Sequence, residues 1–167
     1  LGEYGLGFPV ARGASVAIGG YLLGGGLGFN PNTWGIACNS ILAADVVTAE
    51  GELITVSEKN YPKLYWAVRG VGPGLFGIVT KFYLQAYDLP GSIMTAQYIH
   101  PLSEHAKVGA ALEVLVPNSD HLLELILLIT GNPDKQAVAD GASAYVCLVN
   151  IVAYGDSADH SRSLLKT

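Results

Sequence analysis

Apolar and polar positions set out the elements of this chain most clearly between Ile41 and Val56. Ile41 to Val47 has strand character, Ala49-Glu50-Gly51-Glu52 has turn chemistry, and Leu53 to Val56 returns, which predicts a hairpin with a short loop. Upstream, Leu1 to Arg12 reads as glycine-punctuated loop, Gly7 included, and Ala14 to Ile18 alternates as a short strand. Phe29 to Gly35 is turn chemistry. Tyr61 to Arg69 carries Leu64, Tyr65, Ala67 and Val68 near helical spacing, and Pro62 stands where a first turn tolerates it, so a helix is expected. Ile78 to Tyr87 alternates as a strand with Ile78, Thr80, Phe82 and Leu84 on one face.

Beyond Leu89-Pro90-Gly91 the composition shifts: glycine becomes scarce and longer elements begin. Ser92 to Ile99 predicts a strand. Ser103 opens a helix through about Val116 whose stripe is Val108, Ala111, Leu112 and Leu115, and Pro117-Asn118 stops it. Leu122 to Thr130 and Ala144 to Tyr154 predict strands, with a short helix over Pro133 to Ala139 between them. Ser157 opens a final helix. The order β-α-β-β-α suggests an open α+β layer.

One stretch breaks the pattern. In Gly19-Gly20-Tyr21-Leu22-Leu23-Gly24-Gly25-Gly26-Leu27-Gly28, six of ten residues are glycine. Such a run is a poor helix or strand, because each glycine loses the most backbone entropy on ordering. Glycine offers positive φ and no Cβ, so the backbone can approach a ligand and aim several N–H groups at one acceptor. A flexible linker fits badly, because Ser and charged residues are missing from the run and apolar residues flank it.

Composition narrows the classes. Half of the 167 residues are hydrophobic and 14% are charged, which argues against disorder. The net charge is −5 with nine Lys and Arg and no basic cluster, so neither nucleic acid nor a membrane surface is an expected partner. Leu1 is not a start methionine and no leader is legible, so the chain reads as a piece of something longer. Cys38 and Cys147 are too few for a metal pattern or a disulfide framework and read as small buried hydrophobes.

The remaining motifs have plain readings. Gly72-Pro73-Gly74-Leu75-Phe76-Gly77 matches G-x-G-x-x-G, but a helix is predicted before it and a strand after it. That reverses the order a dinucleotide fingerprint needs. His100, His105, His121 and His160 lack metal-ligand spacing, and no metal is expected. Asp156, Asp159 and His160 cluster at a helix start, where capping accounts for them. Arg69 reads as a structural charge at a helix C-terminus, with a ligand phosphate as the alternative.

Ordered strings then carry a resemblance. Ser15-Val16-Ala17-Ile18-Gly19-Gly20-Tyr21 runs into Leu23-Gly24-Gly25-Gly26-Leu27-Gly28, followed by Trp34-Gly35-Ile36-Ala37-Cys38-Asn39 and Asp45-Val46-Val47-Thr48-Ala49. Leu64-Tyr65-Trp66-Ala67-Val68-Arg69-Gly70 and Phe76-Gly77-Ile78-Val79-Thr80 complete the set. In order and spacing they resemble the FAD-linked oxidases of the vanillyl-alcohol-oxidase type, berberine-bridge-enzyme-like branch, over about residues 8 to 88.

The resemblance implies an α+β fold: the second half of a PCMH-type FAD-binding domain over residues 1–90, then part of an α+β substrate domain over 91–167. It implies FAD as cofactor and a small-molecule substrate. Ser15, Val16, Gly19, Gly20 and Tyr21 would run past the flavin ring and ribityl chain, Gly24, Gly25 and Gly28 would let the backbone pack on the cofactor, and Val79 would serve the adenine. The activity implied is hydride transfer from an alcohol or amine carbon to flavin, with oxygen as acceptor. Departures are also visible. The family's upstream phosphate loop and flavin-linking histidine would precede Leu1, making the upstream half of the same protein an expected partner. Gly13 stands where bicovalent members carry cysteine, Tyr21 where histidine is common, and Asn39-Ser40 where Asp-Asn is common. Catalytic residues are not assignable from this stretch. A truncated, inactive remnant and a non-enzymatic α+β interaction domain remain as alternative readings.

Overall fold

The computed structural model describes residues 1–166, with helix and strand in nearly equal shares, 34% and 32%. The chain divides into two compact units, Leu1–Leu89 and a second from Pro90 onward.

In the first unit the predicted hairpin forms. Strand β2 (Ile41–Val47) pairs antiparallel with β3 (Leu53–Ser57), and β4 (Ile78–Leu84) pairs with the other edge of β2, giving the order β3-β2-β4. The turn is closed by Thr48 N–H to the Glu52 carbonyl at 2.9 Å, and Gly51 supplies a φ of 81° that a residue with a Cβ rarely adopts. The alternation expected for β4 does not hold. Its register skips Thr80, with Val79 opposite Val46 but Lys81 opposite Asp45. This bulge turns Val79, Phe82 and Leu84 toward the core, while Ile78 is left 71% exposed.

The sheet's inner face packs on Phe8, Leu22, Ala37, Cys38, Val68 and their neighbours, all buried. Helix α3 (Pro62–Val68) starts with proline at N1, as expected, and buries Val68. A short helix α2 (Pro31–Trp34) also opens on proline. The first twelve residues are not loop throughout. Strand β1 (Leu6–Gly7) pairs with β5 (Tyr87–Asp88), a contact far too long-range for local patterning to reveal. Gly7 is therefore tightly held: a Cβ there would come within 2.6 Å of the Trp34 ring and 2.8 Å of Leu89.

A second correction concerns Ala14 to Ile18 and the glycines after it. The expected strand is absent, and Ile18–Leu23 forms helix α1, with Gly19 and Gly20 inside it. Glycine is a weak helix former, but Leu22 is fully buried and its packing overrides the propensity of a six-residue segment.

In the second unit β6 (Ser92–Pro101), β7 (Leu123–Gly131) and β8 (Tyr145–Gly155) form an antiparallel sheet in the order β6-β8-β7. Helix α4 (His105–Leu115) begins two residues later than Ser103 and has no side-chain cap. Its predicted stripe faces Val149 and Ile151 of β8 across a cavity of 490 Å³. Helix α5 (Lys135–Ala139) is capped by Asp134, and α6 (Ala158–Leu164) by Ser157, whose hydroxyl accepts from His160 N–H at 3.2 Å. On the face away from α4, Tyr154 donates to buried Glu124 at 2.8 Å.

Candidate functional site

The glycine run does three different jobs. Gly19 and Gly20 lie in α1 with nothing within 4 Å of where a Cβ would stand, so this edge is open. Gly25 and Gly26 form a bend with φ of 101° and 80°, and Gly25 too faces open space. Gly26 and Gly28 are closed in by the protein itself. A Cβ on Gly26 would meet the Tyr21 ring at 2.7 Å and the Ala37 methyl at 2.9 Å. One on Gly28 would meet the Tyr21 hydroxyl and the Val10 carbonyl, each at 2.5 Å.

Tyr21 organises this packing. Its hydroxyl donates to the Pro9 carbonyl at 2.8 Å, and its ring supports Gly26. Burial pushes the phenol above its ordinary value, and the nearby Arg12 guanidinium pulls it partly back. Arg12 also stacks over Phe29, 5.7 Å from the ring centroid.

Beside Tyr21 a cavity of 240 Å³ is lined by Val10, Ala11, Gly13, Ala14, Val16 and Ile18. Val16 and Ile18 are half exposed on its wall. Of the residues expected to meet a cofactor, Val16 and Tyr21 line this cavity, with Ser15, Gly19 and Gly20 next to them in the chain. Gly24 and Gly25 follow on the bend, and Gly28 is buried beneath Tyr21. Val79 stands apart in β4, opposite Val46. Val10, Ala11 and Ile18 were not anticipated, because their role depends on where Tyr21 places the 9–10 segment.

The bend is held from outside by the turn at 37–40. Ala37 N–H donates to the Gly26 carbonyl and Cys38 N–H to the Gly25 carbonyl, both at 2.8 Å. Cys38 is buried, which pushes its thiol above the ordinary value, with Arg69 acting in the opposite direction. The second glycine turn leans on the first: a Cβ on Gly72, whose φ is 65°, would lie 3.9 Å from the Gly24 Cα. Among the described residues no group of three or more His, Cys, Asp or Glu is placed to hold a metal. No helix among them is long and apolar enough to cross a membrane.

A Cβ at Gly19, Gly20 or Gly25 would point into open space, so none of these three glycines is required by packing within the chain. At 240 Å³ the cavity takes only part of a dinucleotide, since whole ligand pockets run to about 300–1,000 Å³.

Known proteins resemble this chain in sequence and fold. The chain is 31% identical over 158 residues to the FAD-linked oxidoreductase nodO of Hypoxylon pulicicidum, matching 95% of this chain and 34% of that protein. It is 36% identical over 123 residues to (R)-6-hydroxynicotine oxidase of Paenarthrobacter nicotinovorans, 72% of this chain and 27% of that one. It is 35% identical over 120 residues to a xylooligosaccharide oxidase of Thermothelomyces thermophilus, 70% of this chain and 24% of that one. The crystal structure of 6-hydroxy-D-nicotine oxidase from Arthrobacter nicotinovorans superposes with a TM-score of 0.79 at 27% identity, covering 99% of this chain and 35% of that one. The chain belongs to the FAD-linked oxidoreductases. No family model matches it. The fold is also that of the berberine-bridge-enzyme-like protein 28 of Arabidopsis thaliana, with a TM-score of 0.82 at 21% identity over 99% of this chain and 32% of that one. FAD is the cofactor of this family. The chain spans between about a quarter and a third of the length of these curated relatives.

Proposed function

We propose that this chain is the part of an FAD-dependent oxidase that carries one wall of the flavin site. In this reading residues 1–90 are the C-terminal part of a PCMH-type FAD-binding domain and residues 91–167 part of the substrate domain. The observation that carries it is the set of open glycine positions, Gly19, Gly20 and Gly25, in the same stretch of chain that gives Val16 and Tyr21 to the cavity. Ser15, Val16, Gly19, Gly20, Tyr21, Gly24 and Gly25 form this wall, with Gly28 enclosed beneath it and Val79 apart in β4. Ser15 and Val16 run along the cofactor, Gly19, Gly20 and Gly24 admit it closely, and Val79 serves the adenine end. Gly28 and Tyr21 act from beneath, by fixing the backbone that meets the cofactor.

Bound flavin would accept a hydride from an alcohol or amine carbon, with oxygen as the final acceptor. Relatives support both substrate classes, since one oxidises a nicotine derivative, which is an amine, and another a xylooligosaccharide, which is an alcohol. This chain's residues contribute binding and orientation, and the apolar walls at Val10, Val16 and Ile18 keep water from the cofactor face.

The test uses the full-length protein. Purified material should carry a flavin absorbance spectrum, be bleached anaerobically by some member of an alcohol and amine panel, and recover on admitting oxygen. Protein that stays colourless after added FAD would instead mark an inactive remnant of the family.

A further inference from the structure

We infer that Arg69 is a positioning residue for the Gly25–Gly26 bend, acting through the turn at Cys38. Arg69 follows directly on α3. Its Nε donates to the Cys38 carbonyl at 3.2 Å and its Nη2 to the Asn39 side-chain oxygen at 3.1 Å. The guanidinium lies over the Tyr65 ring, 5.2 Å from its centroid, and the Tyr65 hydroxyl donates to the Ile41 carbonyl at 2.6 Å. Arg69 is thus committed to protein partners on the side of the turn that faces α3.

The other side of the same turn holds the bend. Cys38 works in both directions: its carbonyl accepts from Arg69, and its amide donates to the Gly25 carbonyl. The Ala37 amide holds Gly26 in the same way. Two successive glycines at positive φ have little intrinsic preference for one conformation, so the bend takes its shape from these two bonds together with the Tyr21 ring against Gly26 and the Gly25 N–H bond to the Leu22 carbonyl at 3.3 Å. The bonds in turn need a fixed turn. A planar guanidinium delivers two donors in fixed geometry and stacks on an aromatic ring, which an ammonium cannot reproduce.

The inference rests on the proposed flavin reading only in its consequence for FAD. Arg69→Lys in the full-length protein keeps the charge and loses the fork. Amide hydrogen exchange at Ala37 and Cys38 should accelerate, and the FAD dissociation constant should rise, each by about tenfold, the scale of one lost hydrogen bond to a charged group. Exchange in β2 and β3 should stay at its wild-type rate, separating local release from general loosening. Asn39→Ala, which removes the Nη2 acceptor together with the long contact from the Cys38 thiol at 4.0 Å, should move both readouts in the same direction by less, and it serves if the lysine variant does not fold. Wild-type exchange at Ala37 and Cys38 in both variants overturns the inference. So does faster exchange there with unchanged FAD affinity. If the wild-type protein binds no FAD, the flavin reading fails, and the exchange measurement alone decides whether Arg69 sets the bend.

Discussion

The Tyr21 hydroxyl reaches the Pro9 carbonyl at 2.8 Å, tying helix α1 to the segment before it, while the ring of the same tyrosine supports Gly26. Tyr21→Phe keeps the ring and removes only the bond, leaving the carbonyl of buried Pro9 without that donor. A loss of about 1–3 kcal/mol in stability is expected, measured by urea unfolding of the full-length protein. A variant as stable as wild type would show that water replaces the phenol at no cost.

Two glycines of one run should respond in opposite ways. Gly20 is helical and open, so Gly20→Ala should raise stability by up to about 1 kcal/mol while weakening FAD binding. Gly28 is enclosed by the Tyr21 hydroxyl and the Pro9 and Val10 carbonyls, so Gly28→Ala should cost about 1–3 kcal/mol. Thermal melting with and without added FAD separates the two effects. If Gly20→Ala binds FAD as wild type does, the cofactor does not lie along that edge.

Alkaline pH should destabilise the first unit. Burial raises the folded-state value of the Cys38 thiol, so the folded protein holds this proton more tightly than the unfolded chain does. That contribution is complete below the unfolded thiol's range, about 8.5, and is lost as pH rises through the folded value. Denaturant unfolding followed from pH 7 to pH 10 should show stability falling, with a shallower fall in Cys38→Ala. Equal slopes in the two proteins would place the loss elsewhere.

The start of α6 offers a test away from the cofactor. Ser157 caps the helix through its hydroxyl and the His160 amide, so Ser157→Ala should cost about 1 kcal/mol. FAD affinity should not change. A shift in flavin binding in this variant would mean that the second unit influences the cofactor through its last helix.

Sequence by itself determined the elements whose causes are local. The hairpin at 41–57 follows from alternation and a glycine that takes positive φ. Helix α3 follows from its proline start, and α6 from its serine cap. The ordered glycine and tryptophan strings were also enough, by resemblance, to point to the FAD-linked oxidoreductases. Tertiary structure decided the rest. Gly19 and Gly20 are helical because Leu22 is buried, although propensity opposes it. The bulge at Thr80 turned Val79 rather than Ile78 inward at the start of β4, while Phe82 and Leu84 kept the expected face. Gly7 reads as a loop glycine and Gly28 as a cofactor-approach glycine in the sequence, yet both are packing positions, Gly7 against Trp34 and Leu89 and Gly28 against Tyr21 and the Pro9 and Val10 carbonyls. Arg69 looked isolated because its partners, Cys38 and Asn39, lie about thirty residues away along the chain. Such contacts depend on how distant segments meet, and no local period encodes that.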